Sequence, residues 1–180
     1  MAEEAVGPLL LFLFCMLRPV AAFRTAPLLG ATVIPPQTLN SFAMVLAVLL
    51  YPVAEATAPA AIGLTWLLLP LVVKELFIGL VIGFFLGILF WTAQNLGSLI
   101  DNQRGASMAQ GADPLSGDQL SPFGSLFFQL AAMLFFTSGA FVSFLGMLME
   151  TYAIWPVFSP MPNLTGSNMR NLLLLQADMV

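Results

Sequence analysis

Residues with reactive side chains are few in this sequence. Histidine is absent and the one cysteine is Cys15, which excludes His-based acid–base catalysis, an internal disulfide and most zinc sites. Asp101 and Asp113 come nearest to a carboxylate dyad, but a glycine-rich connector carries both, which argues against catalysis there. The sequence contains no recognisable nucleophile, phosphate-binding or metalloprotease motif. We therefore expect a protein that is not an enzyme and that uses no cofactor or metal.

The overall composition indicates an all-α integral membrane protein. Hydrophobic residues make up 59% of the chain, charged residues 8%, and the mean hydropathy is +0.96. Soluble domains carry about 25% charged residues, so five basic and nine acidic residues in 180 cannot build a water-facing surface. The net charge of −4 argues against a nucleic-acid partner.

The polar stretch 101–122 lies between two long segments without charge, 76–100 and 119–149. Each segment exceeds the roughly 20 residues that a membrane-spanning helix needs. A connector of this length between two apolar helices is usually functional or disordered. We predict a hairpin of two long helices, 74–100 and 123–150, with a functional loop between them.

Both predicted helices carry small and polar residues along one side, within an arc of about 120°. Small residues let a second helix approach closely, which is the main mode of helix packing in lipid. The sequence does not choose whether these two stripes pack on each other, pack on partners or line a conduit. The candidate packing residues are Gly79, Gly83, Gly87 and Gly97 on the first helix and Ser125, Gln129, Gly139 and Gly146 on the second.

The first part of the chain, 1–73, predicts short broken helices that cross partway and turn back. A helix over 6–17 is expected to stop at Arg18-Pro19, and the segments 39–50 and 60–73 are short for clean spans. Arg18 and Arg24 either extend to a membrane interface or pair with carboxylates of neighbouring subunits.

The last part of the chain, 151–180, predicts an interfacial segment followed by the start of a further helix. Tyr152 and Trp155 are typical of an aromatic belt at the membrane interface. Because the apolar run that begins near Met169 is cut off in its first turns, we expect a C-terminal part beyond this sequence.

Several separated motifs resemble one family in the same order along the chain. They are RPVAAFRTAPLLGATVIP, LLYP, KELFIGLVIG, GSLIDNQRGASMAQGADPLSGDQLSPFG, LFF and ETYAIWP, and they cover about residues 18–156. This pattern resembles the type III secretion export-gate proteins of the FliR/SctT family. The segment SGAFVSF and the ending YAIWP are more similar to the injectisome branch (SctT) than to the flagellar branch (FliR).

The resemblance implies bent helical hairpins packed in a hetero-oligomeric helical assembly of the bacterial inner membrane, partly raised toward the periplasm. The implied partners are SctR/FliP-like, SctS/FliQ-like and SctU/FlhB-like subunits, a nonameric SctV/FlhA-like export ring, inner rod proteins, secreted unfolded proteins and membrane lipid. The assembly is the gate through which unfolded proteins leave the cytoplasm. The loop that matches 101–122 plugs the closed channel.

The residues of the loop suit such a plug, because glycines provide freedom and small side chains keep the loop slim. The candidate plug residues are Asp101, Arg104, Gly105, Met108, Gln110, Gly111, Asp113 and Leu115. Five charged residues are predicted to lie near contacts between subunits: Arg18, Arg24, Lys74, Glu75 and Glu150.

The alternative function is a small polytopic transporter or channel that acts alone. An ion-coupled carrier needs ionisable groups at mid-helix depth. The segments 76–100 and 119–149 have none, which favours a scaffold or a conduit.

Overall fold

A computed structural model describes residues 2–29, 34–58, 68–104, 121–159 and 161–162. Within these ranges the chain is all α-helical, with no strand. The helices are α1 (Ala2–Thr25), α2 (Pro36–Glu55), α3 (Leu68–Gln103), α4 (Pro122–Thr137) and α5 (Ala140–Ile154), with one 3-10 turn at Pro27–Leu29. Three of them, α1 from Gly7, α2 and α3, are long and apolar enough to cross a membrane, and α4 with α5 forms a bent pair that also qualifies. The all-α membrane fold is confirmed.

Helix α1 does not stop at Arg18-Pro19, and this prediction was wrong. The helix continues through Pro19 to Thr25. Pro19 has no N–H to donate to the carbonyl of Cys15, four residues earlier. The hydroxyl of Tyr152 donates to that carbonyl instead, at 2.9 Å. A proline inside an apolar helix is tolerated when a neighbouring element satisfies the freed backbone group.

Helix α2 is also longer than the predicted segment 39–50. It covers 20 residues, and Pro36 occupies its first turn, where a missing N–H has no partner within the helix. The prediction of short, partway helices over 1–73 is therefore corrected for α1 and α2. Most of the predicted segment 60–73 lies outside the described residues.

Helix α3 starts at Leu68, six residues before the predicted start, and ends at Gln103, within the predicted loop. Pro70 lies in the first turn and is compatible with this start. The inward face of α3 carries the glycines, with Glu75, Phe90 and Asp101 also buried. Helix α1 packs on the N-terminal half of this face and α4 on the C-terminal half.

The second predicted helix, 123–150, is broken into α4 and α5, and the prediction of one continuous helix was wrong. The two helices are bent by 70° at Ser138 and Gly139. Gly139 has φ of 78°, the left-handed conformation that ends many helices and that a glycine adopts without a Cβ penalty.

Aromatic side chains fill the space that the bend encloses. Phe90 of α3 contacts Phe128 and Phe135 of α4, with ring centroids 5.8 and 5.5 Å apart. Phe144 of α5 faces Phe23 of α1 at 6.4 Å. Buried aromatic side chains thus line the inward sides of α4 and α5, whereas glycines line most of the inward side of α3.

Candidate functional site

The loop between α3 and α4 is tied at its base by a carboxylate. Asp101, 5% exposed, accepts hydrogen bonds from the Ser121 hydroxyl at 2.6 Å and from the Phe123 amide at 2.9 Å. Ser121 in turn caps α4, because its hydroxyl accepts from the Gly124 amide at 2.9 Å. We call Asp101, Ser121 and Phe123 the loop clamp. It joins the last turn of α3 to the first turn of α4.

Two glycines let the helix ends meet at the loop clamp. A Cβ on Gly97 would collide with the backbone of Phe123. A Cβ on Gly124 would lie 2.8 Å from the hydroxyl of Ser98. The Arg104 guanidinium lies 5.0 Å from the centre of the Phe123 ring, which adds a cation–π contact. The clamp is therefore built from both sides of the hairpin, and it holds the two ends of the loop together.

The predicted plug residues divide between this base and the loop itself. Asp101 and Arg104 belong to the base, and Asp101 lies in α3 and not in a loop. The other six lie outside the described residues: Gly105, Met108, Gln110, Gly111, Asp113 and Leu115.

A buried ion pair forms a second site at the other end of α3. Arg18 of α1 and Glu75 of α3 are both 0% exposed. The guanidinium donates from Nε to Glu75 Oε2 at 2.8 Å and from a terminal nitrogen to Oε1 at 3.0 Å. This two-point geometry is the strongest form of the pair. Burying two charges is favourable only when the geometry is good and their remaining polar atoms are satisfied.

The end of α5 supplies the remaining partners of Arg18. The guanidinium donates to the Thr151 hydroxyl at 2.8 Å and to the Trp155 carbonyl at 3.0 Å. It also stacks over the Tyr152 ring, 4.0 Å from the ring centre. Among the described residues, every buried side-chain nitrogen and oxygen has a hydrogen-bond partner. Arg18 thus joins α1, α3 and α5.

Lys74 extends the same network to the segment after α5. Its ammonium lies 3.0 Å from Glu75 Oε1. It donates to the carbonyls of Pro156 at 2.9 Å, Val157 at 2.6 Å and Ser159 at 3.1 Å. Three backbone carbonyls around one ammonium fold this segment over the start of α3. We call Arg18, Glu75 and Lys74, with their partners in 151–159, the α5 anchor.

The α5 anchor gives partners to three of the five predicted charged residues. Arg18, Lys74 and Glu75 pair with each other inside the chain. Arg18 therefore pairs with a carboxylate of its own chain, and not with one of a neighbouring subunit as one alternative expected. Arg24 and Glu150 are exposed. For all five residues, a place near contacts between subunits stays a prediction.

The predicted packing residues also fall into two groups. The four glycines of α3 are buried within the chain, and a Cβ on Gly79 or Gly83 would collide with the backbone of α1. The stripe on α4 and α5 faces outward, since Ser125, Gln129 and Gly146 are exposed. The two stripes therefore do not pack on each other. Added Cβ atoms at Gly139 and Gly146 would meet nothing within 4 Å.

Sequence reasoning missed the roles of Ser121, Thr151 and Tyr152. The prediction for Tyr152 was an interface belt, but its side chain is buried at 3% exposure. Pro19 carried a usable signal, because a proline inside a helix frees a carbonyl that needs a donor. The dipeptide Ser121-Pro122 is likewise typical of a helix start.

The polar side chains of the loop clamp and the α5 anchor have a structural role. In the described ranges, no group of three or more Cys, Asp or Glu side chains is arranged to hold a metal. Each charged side chain of the loop clamp and the α5 anchor is occupied by hydrogen bonds or ionic contacts that join helices. These sites can hold elements in position.

Comparison with known proteins identifies the chain's relatives. The family described as bacterial export proteins, family 1, matches residues 9–180. The chain is 38% identical over 162 residues to the Yop proteins translocation protein T of Yersinia pestis, which is 89% of this chain and 62% of that protein. It is 30% identical over 161 residues to the secretion system apparatus protein SsaT of Salmonella typhimurium, 87% of this chain and 61% of that protein.

A flagellar relative matches over a similar length. The chain is 26% identical over 156 residues to the flagellar biosynthetic protein FliR of Escherichia coli, which is 87% of this chain and 59% of that protein. The chain thus spans about three fifths of the length of these relatives. The predicted resemblance is confirmed.

Proposed function

Because the chain belongs to family 1 of the bacterial export proteins, we propose that it is a structural and gating subunit of a type III secretion export gate. In this proposal it forms part of the channel through which unfolded proteins cross the bacterial inner membrane. The names of its relatives describe translocation, secretion and flagellar biosynthesis. The chain acts by position and shape and not by catalysis.

The loop 101–122 is proposed to plug the closed channel, and the loop clamp is the observation that carries this role. A plug on two freely moving ends would not stay in a pore. Here the carboxylate of Asp101 binds the hydroxyl of Ser121 and the amide of Phe123, and Arg104 stacks on the Phe123 ring. The base of the proposed plug, on both sides of the hairpin, is therefore held in place.

The length of α3 supports a place among protein partners. At 36 residues it is about 54 Å long, against about 30 Å for the hydrocarbon core of a bilayer. Exposed apolar side chains follow it from Leu69 to Leu99, about 45 Å. Tilts observed for membrane helices reach about 40°, which still leaves about 34 Å along the membrane normal. Part of the exposed apolar surface of α3 must therefore be buried against other protein chains.

We propose that the partners implied by the family resemblance bury this surface. These are SctR/FliP-like, SctS/FliQ-like and SctU/FlhB-like subunits, together with the export ring and inner rod proteins. The outward stripe of Ser125, Gln129 and Gly146 and the exposed charges Arg24 and Glu150 are the proposed contacts. The raised position toward the periplasm belongs to the same proposal.

Deletion of residues 106–112 tests the plug. The shortened loop should leave the loop clamp intact and increase the leak of small ions through the assembled gate. The measurement is single-channel conductance of the purified assembly, with its mass checked to be unchanged. A control variant replaces 106–112 by seven Gly and Ser residues, which keeps the length and should leak less than the deletion. If the deletion and the intact assembly conduct equally, the plug role is wrong.

A further inference from the structure

The exposed side chains of α3 change character after Trp91. From Leu69 to Trp91, every exposed residue of the helix is apolar. From Thr92 to Arg104, six of the eight exposed residues are polar or charged: Thr92, Gln94, Asn95, Asn102, Gln103 and Arg104. The amide of an asparagine or glutamine is costly in hydrocarbon unless it is hydrogen-bonded. The outer surface of α3 therefore suits lipid as far as Trp91 and not beyond it.

Helix α4 shows the same change at the same level. Phe90 of α3 contacts Phe128 of α4, with ring centroids 5.8 Å apart, so Gln129 lies near the level of Trp91. Up to this contact α4 exposes Ser125 and Gln129, together with Pro122 and Leu126. From there to Phe136 its exposed residues are all apolar: Leu130, Met133, Leu134 and Phe136. Two helices that run in opposite directions thus change polarity at one level.

The connection between α1 and α2 lies close to this level as well. A Cβ on Gly87 would be 3.1 Å from Cδ of Pro27, which places the end of α1 about one helical turn before Trp91. Arg24 is exposed in the last turn of α1, and a long basic side chain can reach a membrane interface from there. The first turns of α2 expose Gln37, Thr38 and Ser41, and the following turns expose Met44, Val45, Val48 and Leu49.

The part of α3 before the change is long enough to cross a bilayer. From Leu69 to Trp91 the helix rises about 33 Å, or about 31 Å along the membrane normal at the average tilt of about 20°. The hydrocarbon core of a bilayer is about 30 Å thick. Trp91, 37% exposed at the end of this part, is of the residue type that is enriched at the membrane interface.

The charged side chains along this part of α3 are paired within the chain. Arg18 and Glu75 are 0% exposed, and the side chain of Lys74 is 11% exposed. The exposed carboxylate of Glu150 precedes Thr151 of the α5 anchor, so it lies toward the opposite end of α3 from Trp91. Charges at membrane depth are expected to be paired inside the protein, as they are here.

We propose that the hydrocarbon core of the bilayer ends at the level of Trp91. Acyl chains then cover α3 from Leu69 to Trp91, and the hairpin tip, residues 92–104 and 121–129, stands outside the hydrocarbon. The tip projects about 18 Å beyond Trp91 and carries the loop clamp. Leu96 and Leu99 lie outside lipid too, and they are the apolar surface that the proposed partners would bury. This boundary holds whether or not the loop acts as a plug, and it assigns a depth that the proposed function does not.

Spin labels at matched exposed positions test the boundary. Leu80→Cys and Leu99→Cys lie on the same helix, where the native leucines are 50% and 55% exposed. A Cys15→Ala background keeps the Cys15 carbonyl as the acceptor for Tyr152. The full-length protein is placed in phospholipid vesicles with the membrane components that accompany it. Electron paramagnetic resonance then measures how often each label collides with oxygen, which concentrates in hydrocarbon, and with a water-soluble nickel chelate.

The ratio of the two collision rates reports depth, because a neighbouring chain shields a label from both reagents. We expect the oxygen-to-nickel ratio to be several-fold higher at position 80 than at position 99. The pair Met133→Cys and Ser125→Cys repeats the comparison on α4, with the higher ratio at position 133. Equal ratios within either pair overturn the boundary and leave the export-gate role untouched.

Lysine substitutions at the same two leucines provide an independent measurement. A lysine facing acyl chains disfavours insertion into the membrane, whereas a lysine outside the hydrocarbon does not. Leu80→Lys should therefore lower the amount of full-length protein recovered in the membrane several-fold. Leu99→Lys should leave that amount unchanged. Equal recovery of the two variants overturns the proposal.

Discussion

At the scale of single residues, backbone groups and charges inside the apolar chain are satisfied by long-range partners. The Cys15 carbonyl, freed by Pro19, accepts from Tyr152, 137 residues further along the chain. Asp101 satisfies an amide and a hydroxyl at the start of the next helix. An unsatisfied buried polar group costs about 1–3 kcal/mol, so each of these contacts contributes measurably to stability.

The contact between Tyr152 and Cys15 predicts that the effect of Tyr152→Phe depends on whether residue 19 is a proline. The substitution should destabilise the protein by about 1–2 kcal/mol, because the Cys15 carbonyl loses its donor. Adding Pro19→Ala should recover most of this loss, since an alanine amide can donate to that carbonyl within α1. Thermal unfolding in detergent of the two single variants and the double variant measures the coupling. Additive losses would contradict this account of Pro19.

The loop clamp predicts an effect of Asp101→Ala on one amide. Without the carboxylate, the Phe123 N–H loses its acceptor, so its hydrogen exchange should accelerate by about tenfold, which corresponds to about 1.4 kcal/mol. Asp101→Asn keeps an acceptor oxygen and should accelerate exchange less. Glu55→Ala, at the exposed end of α2, is the control and should leave this amide unchanged. Equal exchange in Asp101→Ala and the parent would show that the Asp101 carboxylate does not hold the Phe123 amide.

At the scale of helices, the glycine-lined side of α3 allows α1 and α4 to pack closely against it. Gly79 and Gly83 bring α3 onto the backbone of α1, and Gly97 brings it onto α4. The helix is thus the central element of the described structure, with an attachment site near each end. Helices α4 and α5 pack mainly through aromatic side chains such as Phe135 and Phe144, and leave Ser125, Gln129 and Gly146 exposed.

This arrangement predicts opposite outcomes for two glycine substitutions. Gly83→Ala should destabilise the chain by about 1–3 kcal/mol, because the new Cβ would collide with the backbone of Ala22. Gly146→Ala is the matched control: it lies within α5 with nothing within 4 Å, so it should stabilise the chain by about 0.5–1 kcal/mol. Thermal unfolding of the detergent-solubilised chain compares them. A loss of the same size at both positions would contradict the packing described for α3.

At the scale of the whole molecule, much apolar surface is exposed on a chain whose central helix is longer than a bilayer is thick. Lipid can cover about 30 Å of it along the membrane normal, and we propose that other polypeptides cover the rest. The outward small-residue stripe of α4 and α5 provides a surface on which a helix of another chain can pack closely.

Expression with and without partners tests this expectation. Expressed alone in mild detergent, the chain should be poorly behaved or self-associate weakly. With SctR-like and SctS-like subunits it should enter one large complex, and the mass of that complex is the measurement. A stable monomer or a symmetric homo-oligomer that binds a small ligand would favour the stand-alone transporter.

The sequence by itself determined the membrane class, the family and the existence of a close-packing glycine stripe on α3. These depend on composition, on ordered motifs and on the absence of a Cβ, all of which are local properties. Only the structure showed that this stripe packs on α1 and α4 of the same chain. Tertiary structure alone decided that α1 continues past Pro19, that α4 and α5 bend, and that Arg18 pairs with Glu75. The physical reason is the same in each case. Whether a proline, a glycine or a buried charge is tolerated depends on partners that are supplied from distant parts of the chain.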